Sequence, residues 1–372
     1  MDTQEKLRIL SDASKYDLAC ACSTNGTDHR QRANDGAWLY PVSLPGGGHS
    51  VMLKTLLSNS CVNDCKYCPW RNSVDTRRCM IGPDETAKMY MEYVYKKEVF
   101  GLFLSSAVSF SPDHSMQLIN DTAAILRNRY HYRGYIHLKI IPGASEGLLE
   151  EALGFANAVS INIETPGKSH FEKLTRKKDY MRDIIKPMQH ISELTSKNER
   201  FLKVKTTTQF IVGASNECDA EIVKYTAGLY GRLRLDRVYF SSYQSGLGDK
   251  SIPGEQTVNA TQNDKFIREH RLYQTDFLLR KYGFTESDII FDAGGNLSLE
   301  KDPKQMLAMR HPEFFPVNIN RADKWTLLRI PGVGPQTAKR IVNIRKEGKL
   351  RNIHELPFRG KRLENASRYL TF

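Results

Sequence analysis

Short apolar, β-branched or aromatic runs recur through the first two-thirds of the chain, separated by amphipathic stretches of helical period. The runs are Val51–Leu57, Val99–Ser105, Tyr135–Ile141, Ala158–Glu164, Val204–Gly213 and Arg237–Tyr243. Between them lie Asp84–Lys97, His114–Tyr130, Glu146–Leu153, Asp179–Thr195 and Glu217–Arg232. This alternation predicts parallel strands joined by helical crossovers. Several runs are apolar on both faces, as a sheet covered by helices requires. The units occupy roughly 195 residues, whereas a full eight-unit barrel takes about 250, so six units fit the span better. The expected fold class is therefore α/β, a partial (β/α)6 barrel, with a doubly wound sheet as the alternative. In either architecture the chemistry belongs at the carboxyl ends of the strands, where the βα loops gather.

The flanks read differently. Residues 3–19 predict a helix with Leu7, Leu10 and Leu18 among charges, and residues 20–37 a polar loop. Residues 264–316 predict helices and a connector punctuated by Asp302-Pro303, His311-Pro312 and Phe315-Pro316. Three segments follow: an extension over 1–48, a core barrel over 49–300 with its connector to 316, and a small all-α domain over 317–372. Composition adds little to this picture. Of 372 residues 40% are hydrophobic and 26% charged, a globular profile. No stretch of eighteen apolar residues occurs, so no membrane span is expected. The charged start, MDTQEKLRIL, lacks an apolar core for a secretion signal, and a cytoplasmic location is expected.

Charge changes the picture more. The formal net charge is +12, and residues 317–372 carry 13 Lys and Arg against 4 Asp and Glu. Nine of the twelve excess positive charges thus sit in the last 56 residues. Such asymmetry suggests a polyanion-binding module attached to a nearly neutral body.

The first run ends in LLSNSCVNDCKYCPWRN, which places Cys61, Cys65 and Cys68 in a CxxxCxxC loop. Three thiolates on one loop can share a metal site, and soft sulfur ligands favour zinc or iron–sulfur. A closed zinc site needs a fourth ligand, which is missing locally. Three thiolates on a four-iron cluster would leave one iron open to a small molecule. CVNDCKYC, with Tyr67 before the last cysteine, resembles the signature loop of the radical S-adenosylmethionine (SAM) superfamily. That resemblance implies a [4Fe-4S] cluster on Cys61, Cys65 and Cys68, SAM bound at the open iron, and an electron donor such as flavodoxin or ferredoxin. It further implies that Ser105 and Ser106 stand where the family holds the SAM amino group, although a Gly-Gly-Glu type stretch is replaced here by LFLSSAV. Gly213 and Glu217 match the family's Gly-x-x-x-Glu spacing near adenine, and Glu164 is placed for ribose hydroxyls or the SAM ammonium. No catalytic residue is assigned. Cys20 and Cys22 form a C-x-C, Cys79 and Cys218 are single, and any of them, or Tyr243, is a weak candidate hydrogen donor.

Residues 327–341 read LLRIPGVGPQTAKRI. Gly332 and Gly334 are expected to permit positive φ and to expose backbone N–H groups at a helix start, a phosphate-binding geometry. Lys339 and Arg340, one turn on, can add charge-assisted contacts. The segment resembles the helix-hairpin-helix motif of DNA-binding proteins, and LPFRGKRLENASRYL looks like a worn second hairpin. Together with KYD near residue 15 and SFSPD near 110, the combination is similar to a bacterial radical SAM family described as acting in DNA modification or repair. The resemblance implies reductive cleavage of SAM to a 5′-deoxyadenosyl radical acting on DNA. It also implies a uracil-DNA-glycosylase-like protein as partner. Modification of RNA or tRNA, or a cluster-bearing scaffold without turnover, are the alternatives.

Overall fold

The computed structural model describes residues 1–14, 23–24, 27–28, 30–33, 35–43, 48–256 and 261–372. Cys20, Cys22, the KYD triplet and the end of the expected first helix lie outside them. The chain divides into two compact units, one of residues 1–217 and 228–259, the other of residues 218–227 and 260–372. The connector stretch over 264–316 is thus gathered with the C-terminal helices.

In the first unit, α1 (Thr3–Ser14) buries Leu7 and Leu10. A small ladder pairs β1 (Ser23–Thr24) with β2 (Thr27–Asp28). The main sheet has eight strands. They are β3 (Gln31–Arg32), β4 (Trp38–Ser43), β5 (His49–Leu56), β6 (Gly101–Ser105), β7 (Tyr135–Lys139), β8 (Ala158–Ser160), β9 (Lys205–Val212) and β10 (Arg237–Ser242). Their spatial order is the sequence order from one edge to the other. From β5 to β10 every neighbouring pair is parallel, while β4 runs antiparallel to β5 and β3 to β4. A doubly wound sheet would reverse direction at a switch point. This one never does, and its two edge strands remain unjoined, so it is a partial barrel of six parallel strands. The antiparallel β4 was not expected from the sequence. Pro41 inside WLYPVS removes a ladder donor, which weakens the strand signal and suits a position near the sheet edge.

The crossovers are α2 (Pro83–Tyr95), α3 (Pro112–Ala124), α4 (Glu146–Phe155), α5 (Lys168–Leu174), α6 (Lys186–Lys197) and α7 (Asp219–Leu233), with a short α8 (Pro253–Gln256) after the last strand. Neighbouring helices pack in turn, α2 on α3, α3 on α4 and α4 on α6. Local signals start them. Ser111 caps α3 by accepting from His114 N, with Pro112 in the first turn, and Pro83, Asp84 and Glu85 open α2. Two π turns, Ile125–Arg129 after α3 and Tyr180–Ile185 before α6, interrupt stretches that the periodicity reads as single helices.

Strand alternation aims one polar or small side chain from each strand end toward the barrel mouth. Ser105, Lys139, Asn162, Gln209 and Ser241 all face one cavity there. One layer deeper, Lys54 is 5% exposed, with its Nζ 4.9 Å from the Phe103 ring centroid. Phe103 in turn lies 4.4 Å from the His137 ring.

The second unit comprises the first part of α7, up to residue 227, with α9 (Gln262–Lys281), α10 (Pro303–Arg310), α11 (Lys324–Arg329), α12 (Pro335–Glu347) and α13 (Lys361–Ser367). A parallel pair, β11 (Val317–Asn318) and β12 (Leu370–Thr371), ties the two ends of the C-terminal module together. Its core is one cluster that includes Ile319, Leu327, Leu328, Ile330, Val333, Ala338 and Ile341. The apolar spacing of α11 and α12 supplies these residues, so the hairpin closes over its own hydrophobic stripe.

Candidate functional site

The loop between β5 and α2 carries the three cysteines to the carboxyl end of the sheet. Cys61, Cys65 and Cys68 all line a cavity of about 200 Å³ whose wall also includes Tyr67, Trp70, Ser105, Ser106, Glu164, Lys178 and Tyr243. Backbone hydrogen bonds fix the loop from three sides. Leu57 N donates to Ser105 O, Val62 N to Val108 O and Lys66 N to Leu174 O. Asp64 turns outward and accepts from Thr175 Oγ1 at 2.6 Å and from the backbone N of Arg176 and Lys177. Burial alone would raise the Asp64 carboxyl; these donors outweigh it and hold the pKa below the usual value. Within the loop, Arg78 donates to the carbonyls of Asn59, Trp70, Arg71 and Val74.

Cys65 is buried and Cys61 and Cys68 are half-buried. Burial pushes Cys65 up, with Lys178 opposing, and burial followed by the neighbouring Cys65 pushes Cys68 up to about 12. Burial thus favours the neutral thiol at Cys65 and Cys68, and a metal bound by these two must displace protons. Two backbone N–H groups already point at sulfur, Asn63 N to Cys61 Sγ and Trp70 N to Cys68 Sγ, each at 3.4 Å. Such contacts tune metal-bound thiolates. Among the described residues no three His, Cys, Asp or Glu side chains converge on a single-ion position. The three thiols stand around one cavity, and this soft sulfur donor set fits an iron–sulfur cluster.

Opposite the cysteines, Glu164 is 6% exposed and has φ +63°, a left-handed conformation uncommon outside glycine. Two ladder bonds over-determine it, Glu164 N to Gln209 O at 3.0 Å and Ile211 N to Glu164 O at 2.8 Å. Its carboxylate accepts from Tyr67 Oη at 2.9 Å and from Asn162 Nδ2 at 3.4 Å. Burial and then the Glu164 charge raise the Tyr67 phenol, keeping it a donor. Lys178 completes the ring. Burial works against its charge, but Cys65 and Glu164 prevail and raise its pKa. Backbone strain held by its surroundings clusters at functional sites.

The structure thus brings together Cys61, Cys65, Cys68, Ser105, Ser106 and Glu164. Ser106 spends its hydroxyl locally, donating to Ala107 O at 2.8 Å. Gly213, with φ +87°, and Glu217 are not in the cavity wall. They are tied to each other, the Glu217 carboxylate accepting from Gly213 N and Ser215 Oγ. Cys79 Sγ lies 3.9 Å from Lys6 O, away from that wall, and Cys218 belongs to the second unit. Tyr243 lines the cavity and donates to Glu255. Sequence reading did not single out Asp64, Arg78 or Lys178. Their partners are fixed by the fold, and only the basic run RKK over 176–178 was visible.

In the C-terminal hairpin the two glycines differ. Gly332 has φ +83°, and a Cβ there would meet Arg362 O at 2.5 Å. Gly334 has φ −103° and caps α12, so the expected positive φ is absent at this position. Lys339 and Arg340 on α12 are exposed. Lys304, only 9% exposed, donates from Nζ to Val333 O at 2.6 Å and lies 5.2 Å from the Tyr282 ring.

Residues 314–358 match the family described as "Helix-hairpin-helix motif". No curated protein matches the chain. Solved structures to which it is similar include the FeFe-hydrogenase maturase HydG from Carboxydothermus hydrogenoformans, at 10% identity and TM-score 0.47, covering 61% of this chain and 51% of that one. Methylornithine synthase (PylB) is similar at 14% identity and TM-score 0.46, covering 60% and 62%. The radical S-adenosylmethionine methyltransferase TsrM from Kitasatospora setae is similar at 15% identity and TM-score 0.39, covering 51% and 35%. The chain spans between about a third and three-fifths of the length of these structures. No helix among the described residues is long and apolar enough to cross a membrane.

Proposed function

We propose that the chain is a radical SAM enzyme acting on a nucleotide of DNA. One observation carries the reading: the three cysteines of the CxxxCxxC loop surround one cavity at the strand ends, facing the strained Glu164 through Tyr67. Cys61, Cys65 and Cys68 would hold a [4Fe-4S] cluster. Such a cluster, with SAM bound, would supply one-electron reductive cleavage of SAM to methionine and a 5′-deoxyadenosyl radical able to abstract hydrogen. The chain's own residues do the rest. Asp64 and Arg78 fix the loop that presents the thiols. Lys178 balances the negative charge that ionised thiols bring into a buried site. Tyr67 holds the Glu164 carboxylate at the cavity wall, where it would meet polar groups of SAM beside Ser105 and Ser106. Gly213 and Glu217 would shape the turn that brings backbone near adenine. Leu56, Val108, Ile140 and Ile141 in the wall exclude water from the reaction space.

DNA is the proposed substrate because the helix-hairpin-helix match coincides with the basic segment, and exposed Lys339 and Arg340 follow the hairpin of Gly332 and Gly334. Such a module reads phosphates rather than bases, so it localises the enzyme without choosing sequence. A few phosphate contacts predict a log–log salt slope of roughly −3 to −5, at about −0.9 per phosphate. A target hydrogen must be accessible, which favours a lesion, a strand end or an extruded base. A uracil-DNA-glycosylase-like partner and a flavodoxin or ferredoxin donor belong to the same proposal.

The deciding experiment is 5′-deoxyadenosine by mass spectrometry after anaerobic reconstitution with iron, sulfide, SAM and reductant, with damaged DNA, tRNA or neither. The expected result is product that requires Cys65, is lost in Cys65→Ala and rises with DNA. A rise with tRNA alone would move the substrate to RNA. Absence of product from protein that retains zinc and no iron would overturn the enzyme reading.

A further inference from the structure

Phe110, in the loop after β6, is 81% exposed and has φ +60°. For a bulky residue this is an outlier conformation, and nothing is gained by burial. The turn is also tightly made. Ser111 N donates to Ser109 O at 2.7 Å, closing a three-residue ring with Phe110 at its centre. An i to i+2 bond with positive central φ is the classic γ-turn, which is rare and strained.

The surroundings hold that strain in place. Ser109, 5% exposed, donates from N to Ser115 Oγ at 2.9 Å, and Ser115 Oγ donates back to Ser109 O at 3.1 Å. On the other side, Ser111 caps α3 by accepting from His114 N at 3.1 Å. Both flanks of the turn are thus fastened to the first turn of α3, and the exposed ring makes a T-shaped contact with His114, 5.2 Å between centroids. A backbone outlier that its surroundings over-determine marks a candidate functional position.

The position names the ligand. Two residues before Phe110, Val108 lines the cavity and its carbonyl accepts from Val62 N of the cysteine loop at 2.8 Å. The carbonyl of Val62 accepts from Lys177 Nζ at 2.6 Å, and Arg176 and Lys177 are both exposed. Val62 thus joins the loop that carries the exposed Phe110 to the segment that carries the exposed Arg176 and Lys177. That pairing is how single-stranded nucleic acid is held: cations follow the phosphates while an aromatic ring stacks on a base. We propose that Phe110 is a base-stacking residue at the cavity mouth, which packs against a nucleobase of an unpaired or opened strand while Arg176 and Lys177 meet its phosphates. This deepens the substrate class proposed above and rests on that reading.

The test uses the full chain and a short single-stranded oligodeoxynucleotide carrying one 5-iododeoxyuridine, at fixed salt. Long-wavelength irradiation should give an adduct on the peptide that contains Phe110. Phe110→Ala should weaken binding about 5-fold or more at unchanged melting temperature, since a base–aromatic stack is worth about 1–3 kcal/mol by alanine substitution. Phe110→Trp should bind as the wild type does. Wild-type affinity in Phe110→Ala, or adducts confined to other residues, would overturn the assignment while leaving the nucleic-acid reading intact. Failure of the wild-type chain itself to bind the oligonucleotide would overturn both.

Discussion

Gly332 and Gly334 stand two residues apart in one hairpin and answer to different constraints. At Gly332 the backbone is left-handed and the space where a Cβ would go is filled by Arg362 O. A side chain there is excluded twice, by conformation and by contact. At Gly334 the backbone is extended, and the nearest atom to an added Cβ is Tyr282 Oη at 3.4 Å. Gly332→Val should therefore destabilise the second unit by roughly 3 kcal/mol or more, whereas Gly334→Ala should cost less than about 1 kcal/mol. Chemical denaturation of the two variants separates them, and similar losses would refute the distinction. Gly334→Ala is then the better probe of phosphate contact, because it leaves the fold in place. Glu164 is the matching case in the first unit, a left-handed residue that must nevertheless carry a carboxylate for Tyr67.

At the scale of elements, the cysteine loop is long and almost devoid of regular structure, yet it is not loosely held. Its carbonyls converge on one guanidinium, that of Arg78, and its far side is sewn to the Leu174–Lys177 segment through Asp64 and Lys66. Hydrogen bonds from a charged donor are worth more than neutral ones, and leaving partly buried carbonyls unpaired adds a desolvation cost. Arg78→Ala should thus lower stability by roughly 2–3 kcal/mol. Iron retained per chain after reconstitution should fall with it, although the hydrogen bonds of Arg78 go to backbone carbonyls of the loop. Full iron loading in a variant of normal stability would show that the loop organises without this clasp.

For the molecule as a whole, the sheet order and the division into two units matter most. Strands that follow one another in space in chain order bring all the βα loops to one end, so a single cavity collects side chains from the whole first unit. The second unit contains its own buried charge. Burial lowers Lys304 from the ordinary lysine value to about 7, and Asp302 only partly opposes it. A lysine whose folded pKa lies below its unfolded pKa binds fewer protons when folded, so stability rises with pH between the two values. From pH 7 to 10 the second unit should gain up to about 1.4 kcal/mol per pH unit from this group, and the gain should vanish in Lys304→Met. Denaturation midpoints at pH 7 and pH 9 test it; equal slopes in both proteins would exclude Lys304 as the source.

What the sequence determined by itself is the part governed by neighbours in the chain. Short continuous apolar runs set β5 to β10, and a period near 3.6 set the crossovers, because each burial pattern acts within one element. The cysteine spacing, the glycine hairpin and the basic last segment were likewise legible, since each is a short contiguous pattern. The tertiary structure decided whatever needs two distant stretches at once. Tyr67 meets Glu164 across 97 positions, and Asp64 meets Thr175 across 111. Strand β4 exists because β5 offers it a ladder that its proline-bearing sequence does not advertise. Lys304 sits beneath the Val333 carbonyl of the hairpin for the same reason. Periodicity reports which face of an element is buried and says nothing about what lies opposite. That is fixed only when the sheet curls and the loops at its mouth share one volume.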